Sequence, residues 1–454
     1  MFPNSQSALP LPLRPNLERY RKIAKDLVKA CRNASEAADP DGDWADAWSQ
    51  SWIEKLLPLS GIEFSPHLPV RVDSWIDEVA AFARRQMRGN GRQCALADAQ
   101  FVIARSHGFQ NWPRFVQHLD ALENANSVDA RFEAAADAVV SGDAQALKRL
   151  LHKNPELVRM RSSREHGATL LHYAAANGVE GYRQRTPGNI VEIAEMLLVA
   201  GAEQDATAHV YGADCTTLGL AATSGHPERA GLQRELLTLL IDHGAAVDTL
   251  LVKTCLANGR VQAAEFLAEH LDTRGVAVGL VEACGLGRLD WVARFFAEDG
   301  SLIPGATNAE LQEGFLYACQ FGQDATVAFL LDRDVAIGFA DVRGQTGLHH
   351  AVIGGHPGIV KLLLAHHPPL EAVNCYGGTR LGQSLWSAAH GGETAAYLEI
   401  LEALAAAGAK LPERHVPVTP EIDRWLEHNG SLAEPDWHWY GEGRKRAIPK
   451  QEEP

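Results

Sequence analysis

One pattern recurs eight times along this chain: a pair of small or apolar residues, two free positions, then glycine. It reads AVVSG ending at Gly142, AAANG at Gly178, AATSG at Gly225 and CLANG at Gly259, then ACGLG at Gly287, ACQFG at Gly322, AVIGG at Gly355 and AAHGG at Gly392. Successive glycines lie 36, 47, 34, 28, 35, 33 and 37 residues apart. A period of this length marks a stack of small units, each unable to bury its own apolar face without a neighbour. Behind each glycine runs a second apolar segment, such as IVEIAEMLLVAGAE (190–203) or GIVKLLLAHHPPLE (358–371). Several of these segments end in a Gly-Ala pair, at Gly201-Ala202, Gly244-Ala245 and Gly408-Ala409, where glycine stops a helix in the left-handed conformation. The spacing predicts about eight helix pairs over residues 128–411.

The rest of the unit resembles the ankyrin repeat. The ankyrin signature Thr-Pro-Leu-His-x-Ala-Ala is matched by Thr169, Leu171, His172, Ala174 and Ala175, and again by Thr346, Leu348, His349 and Ala351. Elsewhere the histidine slot holds Gly219, Lys253, Val281, Leu316 and Trp386, so those copies are degenerate. The resemblance implies an all-α fold, an ankyrin-repeat solenoid with hairpin turns between its units. It implies that His172 and His349 are structural, tying one repeat to the next by hydrogen bonds. It also implies a concave face, lined by the inner helices and the turns, on which partners bind. The segment ALADAQFVIARSHGFQNWPRF resembles one found ahead of such repeats in many bacterial proteins. None of this sets an activity, because one fold hosts many functions.

Residues 1–127 carry no repeat glycine and read as a helical N-terminal domain. Leu17, Tyr20, Ala24, Leu27, Val28 and Cys31 fall on one helix face. Asp43 is placed to cap a second helix, along which Trp44, Trp48 and Trp52 recur every four residues as a packing stripe or a docking surface. Segments 75–87 and 94–122 supply three more helices, with Phe109, Trp112 and Phe115 as packing residues. After 411 the sequence predicts a capping helix over 420–430 and an extended tail over 433–454, giving three domains at 1–127, 128–411 and 412–454.

Forty-two Lys and Arg stand against fifty-seven Asp and Glu, a net charge of −15, which argues against non-specific nucleic-acid binding. Seven scattered cysteines without a Cys-x-x-Cys pair predict neither a zinc ribbon nor a disulfide framework, and Cys255, Cys284 and Cys319 read as small hydrophobes between helices. The first residues hold no basic segment followed by a long apolar run, and no apolar stretch reaches about 18 residues. A cytoplasmic protein without a membrane span, cofactor or metal is expected. The pairs His349-His350 and His366-His367 point their members in different directions on a helix.

The candidate site follows from departures from the repeat. The 47-residue interval contains an insertion, EGYRQRTPGN (180–189), and HPERAGLQRE (226–235) stretches the next unit. The turns HVYGADCTT (209–217) and NCYGGTRLGQS (374–384) are long and tipped by Tyr-Gly. Long loops in a compact array are commonly functional. The binding candidates on the concave face and turns are Tyr173, Tyr211, Asp214, Tyr317, Tyr376 and Trp386, since Tyr and Trp bury much area at small entropic cost. A polar group from the loops comprises Arg164, Glu165, His166, Tyr182, Arg183 and Arg185.

The chain has no Gly-x-Ser-x-Gly, no His-Glu-x-x-His and no phosphate loop ending in Gly-Lys-Ser/Thr. The leading expectation is therefore a non-catalytic scaffold that grips a protein or peptide. An alternative is an enzyme or small-molecule receptor, its pocket formed by the N-terminal domain and the loops near 180–189 and 209–217, with Glu165, His166 or Asp214 as acid–base groups. A third reading makes the tryptophan-rich N-terminus a self-association face.

Overall fold

The computed structural model describes residues 4–36, 43–62, 68–88 and 94–434. Among them are 23 α-helices and two small two-stranded sheets, as an all-α chain requires. The expected tail from 435 onward lies outside the described residues. No helix among the described residues is long and apolar enough to cross a membrane. The chain divides into two compact units, 1–267 and 268–454.

The first unit begins with five helices: α1 (Leu17–Glu36), α2 (Trp44–Ser60), α3 (Leu68–Arg88), α4 (Leu96–Ser106) and α5 (Trp112–Glu123). Helix α1 packs on α2 and α4, and α3 packs on both of those. The stripe expected on α1 is the core face: Tyr20, Ala24, Leu27, Val28 and Cys31 are buried, with Leu17 packed at its edge. Trp48 and Trp52 are buried on α2 with ring centroids 5.2 Å apart. Asp43 occupies the N-cap position of α2 but makes no capping hydrogen bond, so the expected cap is a matter of position alone.

The cysteines need a correction. Cys31 on α1 and Cys94 just before α4 form a disulfide, both buried, with Cα atoms 5.7 Å apart. Their separation of 63 residues made the pair invisible as a local motif.

The unit continues with α6 (Val128–Ser141), α7 (Ala144–Lys153), α8 (Leu170–Ala174), α9 (Ile190–Val199), the hairpin β1 (Thr207–Val210) and β2 (Ala213–Thr216), α10 (Thr217–Thr223), α11 (Gly225–Arg229), α12 (Gln233–Asp242), α13 (Thr249–Ala257) and α14 (Val261–Thr273). Helices α6, α8, α10 and α13 pack successively as one row, and α7, α9 and α12 form a second. The second unit repeats this plan. Its inner row is α15 (Leu280–Gly285), α17 (Asn308–Gln320), α19 (Gly347–Gly354) and α21 (Arg380–Ala389). Its outer row is α16 (Leu289–Val292), α18 (Asp324–Leu331), α20 (Pro357–Leu364) and α22 (Thr394–Ala406). Helix α23 (Pro420–His428) packs on α22 where capping was expected. The short parallel strands β3 (Arg414–His415) and β4 (Leu432–Ala433) flank it.

Small residues set the inner row. A Cβ on Gly314 of α17 would lie 3.0 Å from Cys284 Sγ of α15, and one on Gly347 of α19 would lie 3.2 Å from Cys319 Sγ of α17. The cysteines are thus spacers at van der Waals contact, and burial pushes the Cys255 and Cys284 thiols up to about 12. Among the motif glycines, Gly178 (φ +73°) and Gly355 (φ +71°) take the left-handed turn that a β-carbon disfavours. Gly225 and Gly392 do not: Gly225 starts α11, and Gly391 takes the left-handed position in its place.

The signature histidines cap helices. Thr169 and His172 form a capping box at the start of α8, in which His172 Nδ1 accepts from the Thr169 amide at 3.1 Å. Thr346 and His349 repeat the arrangement at α19, also at 3.1 Å. With Nδ1 accepting, the ring proton sits on Nε2. In each ring Nε2 is turned towards a carbonyl of the following turn, that of Cys215 or of Gly378, without an aligned hydrogen bond. Burial holds both imidazoles down to about 4. His107, stacked on Phe115 in the N-terminal core, is held down to about 3, also by burial.

Two predictions follow from these features. Unfolding without reductant should expose five titratable thiols and unfolding with reductant seven, and the Cys31→Ser/Cys94→Ser double variant should lose about 4 kcal/mol, the chain-entropy value for a loop of that length. Seven thiols without reductant would refute the pairing. Because His107, His172 and His349 stay neutral when folded and protonate near 6.5 when unfolded, stability is full above that pH. It should fall as pH drops from about 6.5 towards 4, by up to about 1.4 kcal/mol per pH unit for each histidine. Thermal midpoints between pH 7.5 and 4.5 check this, and His349→Gln should flatten the slope.

Candidate functional site

The polar residues expected near 164–185 converge, but inward. Loop 162–168 and the inserted segment, whose Gly181–Arg183 forms a 3-10 turn, close over α6. Arg164 Nη1 donates to Glu133 Oε1 of α6 at 2.6 Å, and Arg183 Nη1 stands 2.7 Å from Glu133 Oε2. Arg164 Nε lies 2.8 Å from Glu180 Oε1, a contact of charge rather than an aligned hydrogen bond. Arg183 also pairs with Asp137 at 2.8 Å. His166 Nδ1 accepts from the Ala168 amide at 3.0 Å, which leaves its Nε2 proton facing Glu180 Oε1 at 3.5 Å. Aromatic rings collar the charges: Arg164 lies over Phe109, and Arg183 over Tyr173 and Tyr182, with centroids 5.5–5.8 Å away.

The cluster's inner members carry two carboxylates and two guanidiniums, and that balance decides its electrostatics. Burial would raise the Glu133 carboxyl, but Arg164 and Arg183 overcome it and hold it down to about 2. Glu180, fully buried, is held well below the usual range by Arg164, His166 and Arg183 against the same burial. Burial would lower the two guanidiniums as well, and the carboxylates reverse that shift.

The inserted segment therefore acts as a joint. Arg71 of α3 donates to the Gly181 carbonyl at 2.7 Å. A β-carbon on Gly181 would meet the Gln6 carbonyl at 2.6 Å. Tyr182 packs against the N-terminal core, while Arg185 is exposed.

The three alternative acid–base candidates sit in different surroundings. Glu165 is exposed and paired with Arg105. His166 is buried against Glu180. Asp214 is exposed on β2 and faces His209 Nδ1 at 3.1 Å.

Of the binding candidates, Tyr173 needs correction: it is fully buried on α8 and offers no surface. Tyr211 and Gly212 both have positive φ and form the two-residue turn between β1 and β2, the arrangement that suits the strand twist. The Tyr211 hydroxyl donates to Asn177 Oδ1 at 2.5 Å and meets the Gln6 side chain, so it fastens the N-terminal segment while its ring stays half exposed.

In the second unit two of the three candidates are exposed. Tyr376 tips the turn before α21 at 76% exposure, and Trp386 on α21 is 48% exposed with its ring stacked on His390 at 4.1 Å. Tyr317 on α17 is half-buried and stacks with Phe321 at 5.8 Å. Sequence reasoning missed Val342 and Val373, which are exposed at 103% and 55%. The preceding turn is bonded to that of Tyr376, as the Cys375 amide donates to the Arg343 carbonyl at 2.7 Å. The signal was an apolar residue beside a turn glycine, Val342-Arg343-Gly344. Glu133 and Glu180 were missed too, although Glu133 interrupts the apolar run ARFEAAADAVV.

Among the described residues no group of three or more His, Cys, Asp or Glu side chains is arranged to hold a metal. Glu180→Gln should destabilise the protein by about 3 kcal/mol, because Arg164 and Arg183 are then left to share the single buried carboxylate of Glu133. Asp137→Asn, at a 64% exposed carboxylate, should cost less than about 1 kcal/mol. Chemical denaturation of the two variants checks the contrast, and equal costs would contradict the cluster's burial.

Residues 315–414 match the family model for ankyrin repeats, in three copies. No curated protein matches the chain. The matched stretch contains α19, α20, α21, α22 and both exposed turns, and ankyrin repeats generally mediate contacts between proteins.

Proposed function

We propose that the protein is a non-catalytic scaffold that recognises a protein or peptide partner on the inner row and turn tips of its second unit. The supporting observation is the set of exposed apolar side chains at Val342, Val373, Tyr376 and Trp386, all within the residues that match ankyrin repeats. Large side chains left in water at adjacent turns have little folding value, whereas at an interface they anchor a partner. The Trp386–His390 stack and the hydrogen bond between the two turns hold these groups ready, which reduces the entropy lost on binding. In this reading residues 128–411 form the array, and residues 1–127 are a helical domain covering its first repeat.

The test is capture from a lysate of the source cells with the purified full chain. Tyr376→Ala and Trp386→Ala should each reduce the captured partner at least tenfold with an unchanged circular dichroism spectrum. Lys361→Ala, at an exposed pair with Glu399 joining α20 and α22, should leave capture intact. Equal capture by all three variants would place the binding surface elsewhere.

A further inference from the structure

We propose that the cleft between α1 and α2 binds a small amphipathic organic anion, a carboxylate carried on an aliphatic or aromatic body. The cleft has a volume of about 450 Å³, and its apolar floor is formed by Ile23, Trp48, Trp52 and Leu56. Cavities of a few hundred Å³ suit small organic ligands. A single helical turn, about 10 Å wide and 5.4 Å long, would already fill roughly this volume, so the cleft is too short for a docked helix.

The walls specify the charge. Arg19, Lys22 and Lys55 line the cleft, against the one carboxylate of Asp26. Lys55 Nζ is positioned there by donating to Ser51 Oγ at 2.8 Å, and neither Arg19 nor Lys22 makes an ion pair among the described residues. The surrounding surface is net positive: α1 also exposes Lys25, Lys29 and Arg32, while its Arg21 is paired with Glu18, in a chain whose net charge is −15. Concentrating cations over an apolar floor raises the local concentration of anions and disfavours cations of the same shape. An apolar body on the tryptophans, with its carboxylate at the Arg19–Lys22–Lys55 rim, meets both requirements.

The test uses the full chain with decanoate and 2-naphthoate as probes, and decyltrimethylammonium as the cationic counterpart, all followed by isothermal titration calorimetry. At least one carboxylate should bind saturably, at one site, at least tenfold tighter than the ammonium compound. Lys22→Glu/Lys55→Glu, at exposed positions, should weaken that binding at least tenfold. Ser51→Trp, which fills the rim without touching the core, should abolish it. Partner capture should be unchanged in both variants, so this proposal and the scaffold reading fail separately. Absence of saturable binding by both carboxylates overturns the proposal, as does equal affinity for the cation or indifference to the charge reversal.

Discussion

The first unit depends on a set of charges buried almost completely from water. Glu133, Arg164, Glu180 and Arg183 come from a helix, a loop and an insertion far apart in sequence, and they meet inside the protein. A buried pair of this kind contributes little net stability, since desolvation consumes most of the Coulomb energy. Its effect is selective: any arrangement that moves the insertion takes Glu180 from Arg164 and Arg183 from Glu133, so each remaining buried charge loses one of its partners. The insertion is held in one place, and its other contacts follow. Arg71 reaches the Gly181 carbonyl, Tyr182 enters the N-terminal core, and the segment around Gln6 lies against Gly181. A loop that departs from the repeat period is therefore the fastening between the first helices and the array within this unit.

Such a network explains which features of the chain are legible in sequence. Repeat glycines and the small inner-row residues act within a few positions of themselves, so their spacing reveals them, whereas the capping boxes of His172 and His349 come from the structure. The heptad-like face of α1 is legible for the same reason. The polar loop residues Arg164, His166, Tyr182 and Arg183 could be grouped by eye, but not their sense, because an arginine on a loop looks the same whether it faces a ligand or a buried glutamate. The deciding partners, Glu133 and Glu180, lie 31 and 16 residues from Arg164 and belong to no motif. The Cys31–Cys94 pair escaped notice in the same way, as do all contacts whose energy depends on closing a long loop.

Exposure separates two kinds of aromatic residue that composition treats alike. Tyr173 sits in the first unit's inner row, where helices on both sides and the charge cluster enclose it. Tyr376 and Trp386 belong to degenerate copies of the repeat in the second unit. In α21 the cap is Thr379 and the slot of the capping histidine holds Gly382, so the sequence assignment of that slot to Trp386 is corrected: Trp386 lies one helical turn further on. The added turn of α21 carries Trp386 with its ring half exposed.

The two surfaces proposed for binding differ in the physics they would use. The turn tips of the second unit offer apolar groups with few charges, and a contact there draws on dehydration and is nearly insensitive to salt. The α1–α2 cleft combines an apolar floor with exposed cations, whose attraction is screened over about 8–10 Å at physiological ionic strength. An anionic apolar ligand senses both terms, and a neutral protein patch senses only one. The acidic balance of the rest of the chain sharpens the difference, because a mobile anion is repelled over most of the surface and attracted at α1. Selectivity between the two sites thus arises from where the charges are placed, and needs no difference in fold between them.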